Sequence, residues 1–178
     1  MLSSDRLRLR PVRQHDLEGL YTSLNELSYR GSYYPLGLHA EPVFNRKFET
    51  DGFWTDDEGM LVMVDADDHL VGEIEFFPIT SYLTGFELSY LVFGPEQRGK
   101  GYATEAVRLL TAYLFARRRI ERLQLNIHPD NVASQRVAEK AGYTLEGLMR
   151  KCWFNHGKFH DLQIWSMLRE EQTGSSVT

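Results

Sequence analysis

The sequence predicts an α/β domain whose front half is an antiparallel meander and whose back half alternates helix and strand. Three observations carry this. Compact apolar runs separated by polar turns fill residues 60 to 93. A strong helical period starts at Ala103. A shorter one from Asn131 to Gly142 is followed by two strand-like stretches around Asn155-His156-Gly157-Lys158. At 178 residues, 42% hydrophobic and 25% charged, the chain has the composition of one globular domain. No repeat or linker divides it, so one domain is expected over residues 1–169, with the polar stretch 170–178 as a disordered tail.

In chain order, Leu7 and Leu9 alternate with Arg6, Arg8 and Arg10, giving a half-buried strand with the arginines on its wet face and a stop at Pro11. A helix starts near Asp16 and carries Leu17, Leu20 and Leu24 at helical spacing. Residues 28 to 59 turn aromatic, Gly-rich and Pro-containing, an irregular part suited to shaping a pocket. Met60–Val64 is an apolar strand, Asp65–His69 a polar turn and Leu70–Phe77 the return strand of a hairpin. After Pro78, Gly85–Phe93 forms a further strand closed by Gly94-Pro95-Glu96. Ala103, Ala106, Val107, Leu110 and Leu114 then share a helical face, and Arg117–Arg119 complement the negative end of that helix. Leu123–Ile127 alternates as a strand, and Asn131–Ala141 is a second helix with Gly142 as its stop.

The charge balance narrows the partners. A formal net charge of −5 argues against binding of nucleic-acid phosphates as the main function and suits a cationic substrate such as an amine. The lone Cys152 has no disulfide partner and reads as a small core residue, and no spaced Cys/His set offers a metal site, so no metal is expected. His128, His156 and His160 share no evident face and read as surface or hairpin packing. With no apolar leader and no stretch of membrane-spanning length, the expectation is a soluble, cytoplasmic protein that does not enter a membrane.

The segment Arg98-Gly99-Lys100-Gly101-Tyr102-Ala103 lies between a predicted strand and a predicted helix. Small residues let the main chain approach an anion closely, and the unpaired N–H groups of a first helical turn supply donors at the helix's positive end. That makes a pyrophosphate cradle. It lacks the spacing of a nucleoside-triphosphate loop and of the full dinucleotide fingerprint.

Arg98-x-x-Gly101-x-Ala103, continued by Thr104-Glu105-Ala106, resembles the acyl-CoA loop of the GNAT superfamily of N-acetyltransferases. Asn131-Val132-Ala133-Ser134 and Ala141-Gly142-Tyr143 are similar to elements of its Rim-type branch, which acetylates ribosomal-protein N-termini and many small amines. The opening Arg6–Pro11 and the closing His160-Asp161 are also typical of that branch, so the resemblance runs from about Arg6 to Met167 and is weakest over 28–59. It implies the GNAT fold, a mixed and mostly antiparallel sheet with helices on both faces, splayed where acetyl-CoA binds. It further implies that acetyl-CoA is the cosubstrate, held by the main chain of Leu91, Val92 and Phe93 and by Arg98, Gly99, Lys100, Gly101, Tyr102, Ala103 and Thr104. Asn131 would bond the pantetheine arm, or cap the helix, or both, and Ser134 would lie near the thioester sulfur.

An amine is mostly protonated at neutral pH, so transfer needs a base. Glu87, in Phe86-Glu87-Leu88-Ser89-Tyr90, is the leading candidate: it sits on the strand entering the cofactor loop, where Rim-type relatives carry Ala-Glu-Ile/Leu-Gly-Tyr. Glu73 and Glu75, on one face of the preceding strand, or a water are the alternatives. The amine would attack the thioester directly, a main-chain N–H of Tyr90–Phe93 would meet the developing oxyanion, and Ser134 would protonate the leaving thiolate. Tyr33, Tyr34, Phe53 and Trp54, with Glu49, Asp51, Asp56, Asp57 and Glu58, would make an amine pocket. The competing reading is a non-catalytic acyl-CoA-binding regulator. The acceptor stays open among protein N-termini, polyamines, amino-sugars and amine antibiotics. The aromatic last strands, with Trp153, Phe154, Phe159 and Trp165, would support a homodimer.

Overall fold

The strand-forming runs of the front half pair in the order in which they occur. In the computed structural model, which describes residues 2–80 and 83–172, β1 (Leu2–Ser3), β2 (Arg8–Pro11), β3 (Gly59–Val64), β4 (Leu70–Thr80) and β5 (Leu83–Val92) are antiparallel neighbours. β6 (Arg122–Ile127) joins β5 in parallel, and β7 (Thr144–Asn155) and β8 (Lys158–Leu168) complete an eight-stranded mixed sheet in the order β1-β2-β3-β4-β5-β6-β8-β7. The parallel join follows from the connection: α4 (Tyr102–Arg117) carries the chain back across the sheet before β6 begins.

Helices cover both faces. On one, Ala106, Val107, Leu110 and Leu114 of α4 and Ala138 and Ala141 of α5 (Val132–Ala141) pack with Leu61, Ile74, Phe76, Leu88 and Leu123. On the other, Leu17, Leu20 and Leu24 of α1 (Leu17–Asn25) and Phe44 of α3 (Glu41–Asp51) pack with Val62, Val64, Leu91 and Phe93. A single turn, α2 (Leu27–Arg30), lies between α1 and α3. Inside the stretch expected to be irregular, α3 is therefore a true helix; it carries Pro42 in its first turn, where the missing N–H costs nothing, and ends on Gly52 in the left-handed region.

Two burial expectations need correcting. Arg10 does not face water. It is 2% exposed and makes a bidentate pair with Asp16, at 2.6 and 2.9 Å, because a sheet covered on both sides has no wet face at its second strand. Cys152 is exposed rather than in the core. The register slips between Met149 and Trp153, and Lys151, in the left-handed region at φ 50°, donates its N–H to Asp161 at 2.8 Å, so the bulge turns Cys152 outward.

β5 pairs with β6 at Phe86–Leu123 and Glu87–Gln124, and beyond Glu87 the two strands part. After β8, Arg169 donates to the carbonyls of Phe115, Arg118 and Ile120, and Arg169–Glu171 forms a short 3-10 turn. Of the expected tail, residues 173–178 lie outside the described residues. No helix among the described residues is long and apolar enough to cross a membrane.

Candidate active site

Where β5 and β6 separate, a cleft of about 930 Å³ opens between the N-terminus of α4, the start of α5 and the segment 30–35. One wall is the glycine loop. Gly99 (φ 75°) and Gly101 (φ 89°) both sit in the left-handed region that disfavours side chains, and Gly101 is the cap of α4. The loop is clasped from outside. Arg6 donates to the Lys100 carbonyl at 3.3 Å and ion-pairs with Glu105, which also accepts from Ser4. Arg98, Gly99, Gly101, Tyr102, Ala103 and Thr104 line the cleft, and Arg136 and Lys140 of α5 add positive charge to it.

The opposite wall is a stripe of polar groups on a single sheet face. The register sets Glu73 against Leu91, Glu75 against Ser89 and Glu87 against Phe77, then Glu87 beside Gln124, so strand alternation aligns Glu73, Glu75, Glu87, Gln124 and Asn126. Glu87 is half-buried. Its Oε2 accepts from Asn126 Nδ2 at 2.7 Å and more weakly from Gln124 Nε2 at 3.5 Å. These donors are neutral amides, and burial outweighs them, so the carboxyl is pushed above its ordinary value. Glu75 also lines the cleft and is pushed up to about 7, first by burial and then by repulsion from Glu58. Glu73 lies behind, fully buried. It accepts from the Tyr34 hydroxyl at 3.2 Å, its other oxygen has no partner, and burial together with Glu75 raises it well above the usual carboxylate range.

At the start of α5, Asn131 Oδ1 accepts the Ser134 N–H at 3.2 Å, so Asn131 does cap the helix while also lining the cleft. The Tyr90 hydroxyl is buried beside Ser134 without a well-formed hydrogen bond, and burial pushes it up to about 12.

The sequence matches the acetyltransferase (GNAT) domain over residues 6–144. The chain belongs to the acetyltransferase (GNAT) family. Among curated relatives, this acetyltransferase is 28% identical to the uncharacterised N-acetyltransferase YnaD of Bacillus subtilis (strain 168) over 173 residues, covering 96% of this chain and 98% of that one. Its fold matches the crystal structure of a GNAT-family acetyltransferase from Bacillus anthracis with a TM-score of 0.78 at 25% identity, over 95% and 98% of the two chains. It also matches spermidine N-acetyltransferase from Vibrio cholerae, solved with CoA and spermine, with a TM-score of 0.78 at 20% identity, over 94% and 98%.

The acetyltransferase fold brings most of the expected site together. Glu87, Leu91, Val92, Asn131 and Ser134 line the cleft with the loop residues named above. Phe93 and Lys100 do not. Phe93 is 4% exposed in the second core and its N–H already donates to Val71 at 2.9 Å, which removes it as an oxyanion donor; Lys100 Nζ is engaged by Gln97 Oε1 at 2.9 Å. The expected aromatic pocket divides. Tyr33 and Tyr34 line the cleft, whereas Phe53 packs on Phe44 and Phe48, and Trp54 on Phe76 and Tyr113. None of Glu49, Asp51, Asp56, Asp57 and Glu58 reaches the cleft. Asp51 and Glu58 pair with Lys47, and Asp56 with Arg118.

Other groups emerge only from the structure. Gln124 and Asn126 hold Glu87, and their alternation with leucines in Leu123-Gln124-Leu125-Asn126 is the signal that this strand face is polar. His128 and His160, expected to be unrelated, are hydrogen-bonded at 2.9 Å between the β6–α5 loop and β8. Asp65, Asp67 and His69 form a mutual cluster of oxygen and nitrogen ligands on the β3–β4 turn. Asp65 there is already engaged by the main chain of Asp67 and His69.

Proposed function

We propose that residues 1–169 act as one domain that transfers an acetyl group from acetyl-CoA to a primary amine, with Glu87 as the base. One observation carries this reading: Glu87 is a half-buried carboxylate held by amides rather than by a cation, in the same cleft as the glycine loop and the N-terminus of α4. A carboxylate so placed has an affinity for protons raised toward neutrality, which is what accepting a proton from an ammonium requires.

The residues present fit acetyl-CoA as cosubstrate. Left-handed glycines, free N–H groups of a long helix and the basic side chains Arg98, Arg136 and Lys140 suit its phosphates, and the gap between β5 and β6 suits an extended arm. Acetyl-CoA supplies an activated thioester. Tyr33, Tyr34 and Trp153 line the acceptor end, and Glu75 adds a carboxyl that favours cationic amines, consistent with the spermine named for the Vibrio cholerae structure. Glu87 takes the ammonium proton, directly or through one water, and the freed lone pair attacks the carbonyl carbon. The main-chain N–H of Val92, on the part of β5 that has left β6 and pointing away from β4, would meet the developing negative oxygen, whereas that of Leu91 points to β4 as that of Phe93 does. Ser134 gives its hydroxyl proton to the departing sulfur and takes in its place the second proton of the attacking nitrogen, and Glu87 releases the first to solvent. A cytoplasmic setting and a homodimer built on the exposed Phe154, Phe159, Leu145 and Leu148 of the last two strands complete the reading.

The test is free-thiol release from acetyl-CoA across peptides with different N-termini, polyamines, amino-sugars and amine antibiotics. Release with one acceptor class names the substrate. Saturable CoA binding with silence across the panel would favour a regulator instead.

A further inference from the structure

The two histidines form a chain in which every polar atom fixes the next. The Asp130 N–H donates to His128 Nδ1 at 3.0 Å, so a neutral His128 carries its proton on Nε2. That Nε2 lies 2.9 Å from His160 Nδ1. His160 Nε2 in turn lies 3.0 Å from the Asn155 carbonyl, which can only accept, so His160 also carries its proton on Nε2 and receives the bond from His128 on Nδ1. One proton per ring satisfies the whole chain. A second proton on either ring would set two donors face to face, at Asp130 N–H or at His128 Nε2–H.

The chain ties together the parts that wall the acceptor end of the cleft. His128 is in the β6–α5 loop, where its carbonyl accepts the Asn131 N–H at 2.9 Å, and its ring stacks on Tyr33 with centroids 4.8 Å apart. His160 lies against Trp153 at 5.6 Å, and Asn155 Nδ2 donates to the Tyr34 carbonyl at 3.3 Å. His128, Tyr33, Tyr34 and Trp153 all line the cleft.

We propose that His128 and His160 are positioning residues of the acceptor site: a neutral imidazole pair that fastens the β7–β8 hairpin and the Tyr33–Tyr34 segment to the β6–α5 loop, and loosens that wall when either ring gains a second proton. This rests on the reading that the amine binds against Tyr33 and Tyr34. The charged neighbours of the pair are Asp130, whose carboxylate is 3.9 Å from His128 Nδ1, and Lys158 and Asp161 on β8. Burial dominates and sets the His128 ring below its ordinary value, with Asp130 opposing and His160 and Lys158 adding to the shift. The His128 ring therefore stays neutral above the usual histidine range and gains its second proton only as pH falls through the lowered value.

The experiment has one arm that needs no turnover. Ring nitrogen NMR on the intact protein at pH 7.5 is expected to show both rings as Nε2–H tautomers; an Nδ1–H tautomer on either would overturn the proposal, whatever the enzyme acetylates. The second arm is kinetic. His160→Phe removes two part-buried hydrogen bonds and is expected to raise the acceptor KM about tenfold. In the same variant kcat and the acetyl-CoA KM should stay within about twofold, since only uniform acceptor binding is lost. His160→Asn places an amide oxygen where Nδ1 stood, and should restore the acceptor KM to within about threefold of wild type. Glu75 is pushed up to about 7 and Glu87 is also raised, so the KM–kcat split, and not the rate alone, decides. An unchanged acceptor KM in a folded His160→Phe protein, judged by its melting, would also overturn it. If no acceptor is ever found, the proposed function fails while the tautomer result still decides this one.

Discussion

The two walls of the cleft are built by different means. The loop wall is contiguous: Arg98 to Thr104 supply it from one stretch of chain, with main-chain donors and left-handed glycines whose conformation is set locally. The acceptor wall is assembled from Tyr33, Glu75, Glu87, Asn126, His128 and Trp153, with His160 bracing His128 from behind, brought together by strand register and side-chain bonds across more than a hundred residues. The difference teaches that a polyphosphate can be held by backbone that almost any small residue would supply, whereas handling an amine's proton needs particular side chains in a shielded place.

If the division is real, changes to one wall should leave the other's ligand alone. The largest effect is expected from Glu87→Gln, which keeps the bulk and the amide partner Asn126 but removes the base. Turnover of the acceptor should fall by about 10²–10⁴, the usual worth of a positioned base, while acetyl-CoA binding measured by calorimetry stays within about twofold. Asp16→Asn comes next. It leaves Arg10 as a buried, half-paired cation beneath α1, and urea unfolding should show a loss of about 3 kcal/mol.

Glu75→Gln should sharpen the picture through its sign. The folded carboxyl is pushed up to about 7 from an ordinary 4.5, so the chain binds a proton more tightly folded than unfolded. Its favourable contribution is complete below the ordinary value and disappears as pH rises through about 7. Relative to wild type the glutamine protein should therefore gain on the order of 2 kcal/mol at pH 8.5 and almost nothing near pH 4, read by melting across that range. The smallest effect belongs to the loop. Gly101→Ala adds a methyl in the left-handed region, with the Arg6 guanidinium at 3.5 Å, and should weaken acetyl-CoA binding about tenfold with the acceptor KM unmoved.

Legibility in the sequence follows the same division. The loop, α4 and α5 could be read from Arg98–Thr104, the spacing Ala106–Leu110–Leu114 and the pair Asn131/Gly142, because caps, glycines and helical period are local signals. Alternation also aligned Glu73 with Glu75. It misplaced Arg10, since alternation says which residues share a face but not whether that face is covered; the cover is α1 and the pairing Asp16. It misplaced Cys152 because a bulge breaks the period unannounced, and it missed α3 because that helix buries Phe44 alone. The His128–His160 pair depends on the register that sets Ile127 opposite Gln163, a long-range fact with no local trace.

The central claim is that Glu87 takes the proton, and the pH dependence of kcat/KM, measured on the intact enzyme and on Glu87→Gln with an acceptor amine of known pKa, tests it most directly. The account predicts that the intact enzyme shows, beyond the amine's own titration, a limb rising through a carboxyl value above 4.5. In Glu87→Gln that limb should vanish and the plateau should fall by about 10² or more, with acetyl-CoA binding intact. A variant that keeps both the limb and the plateau would contradict the account and pass the base role to Glu75 or to water.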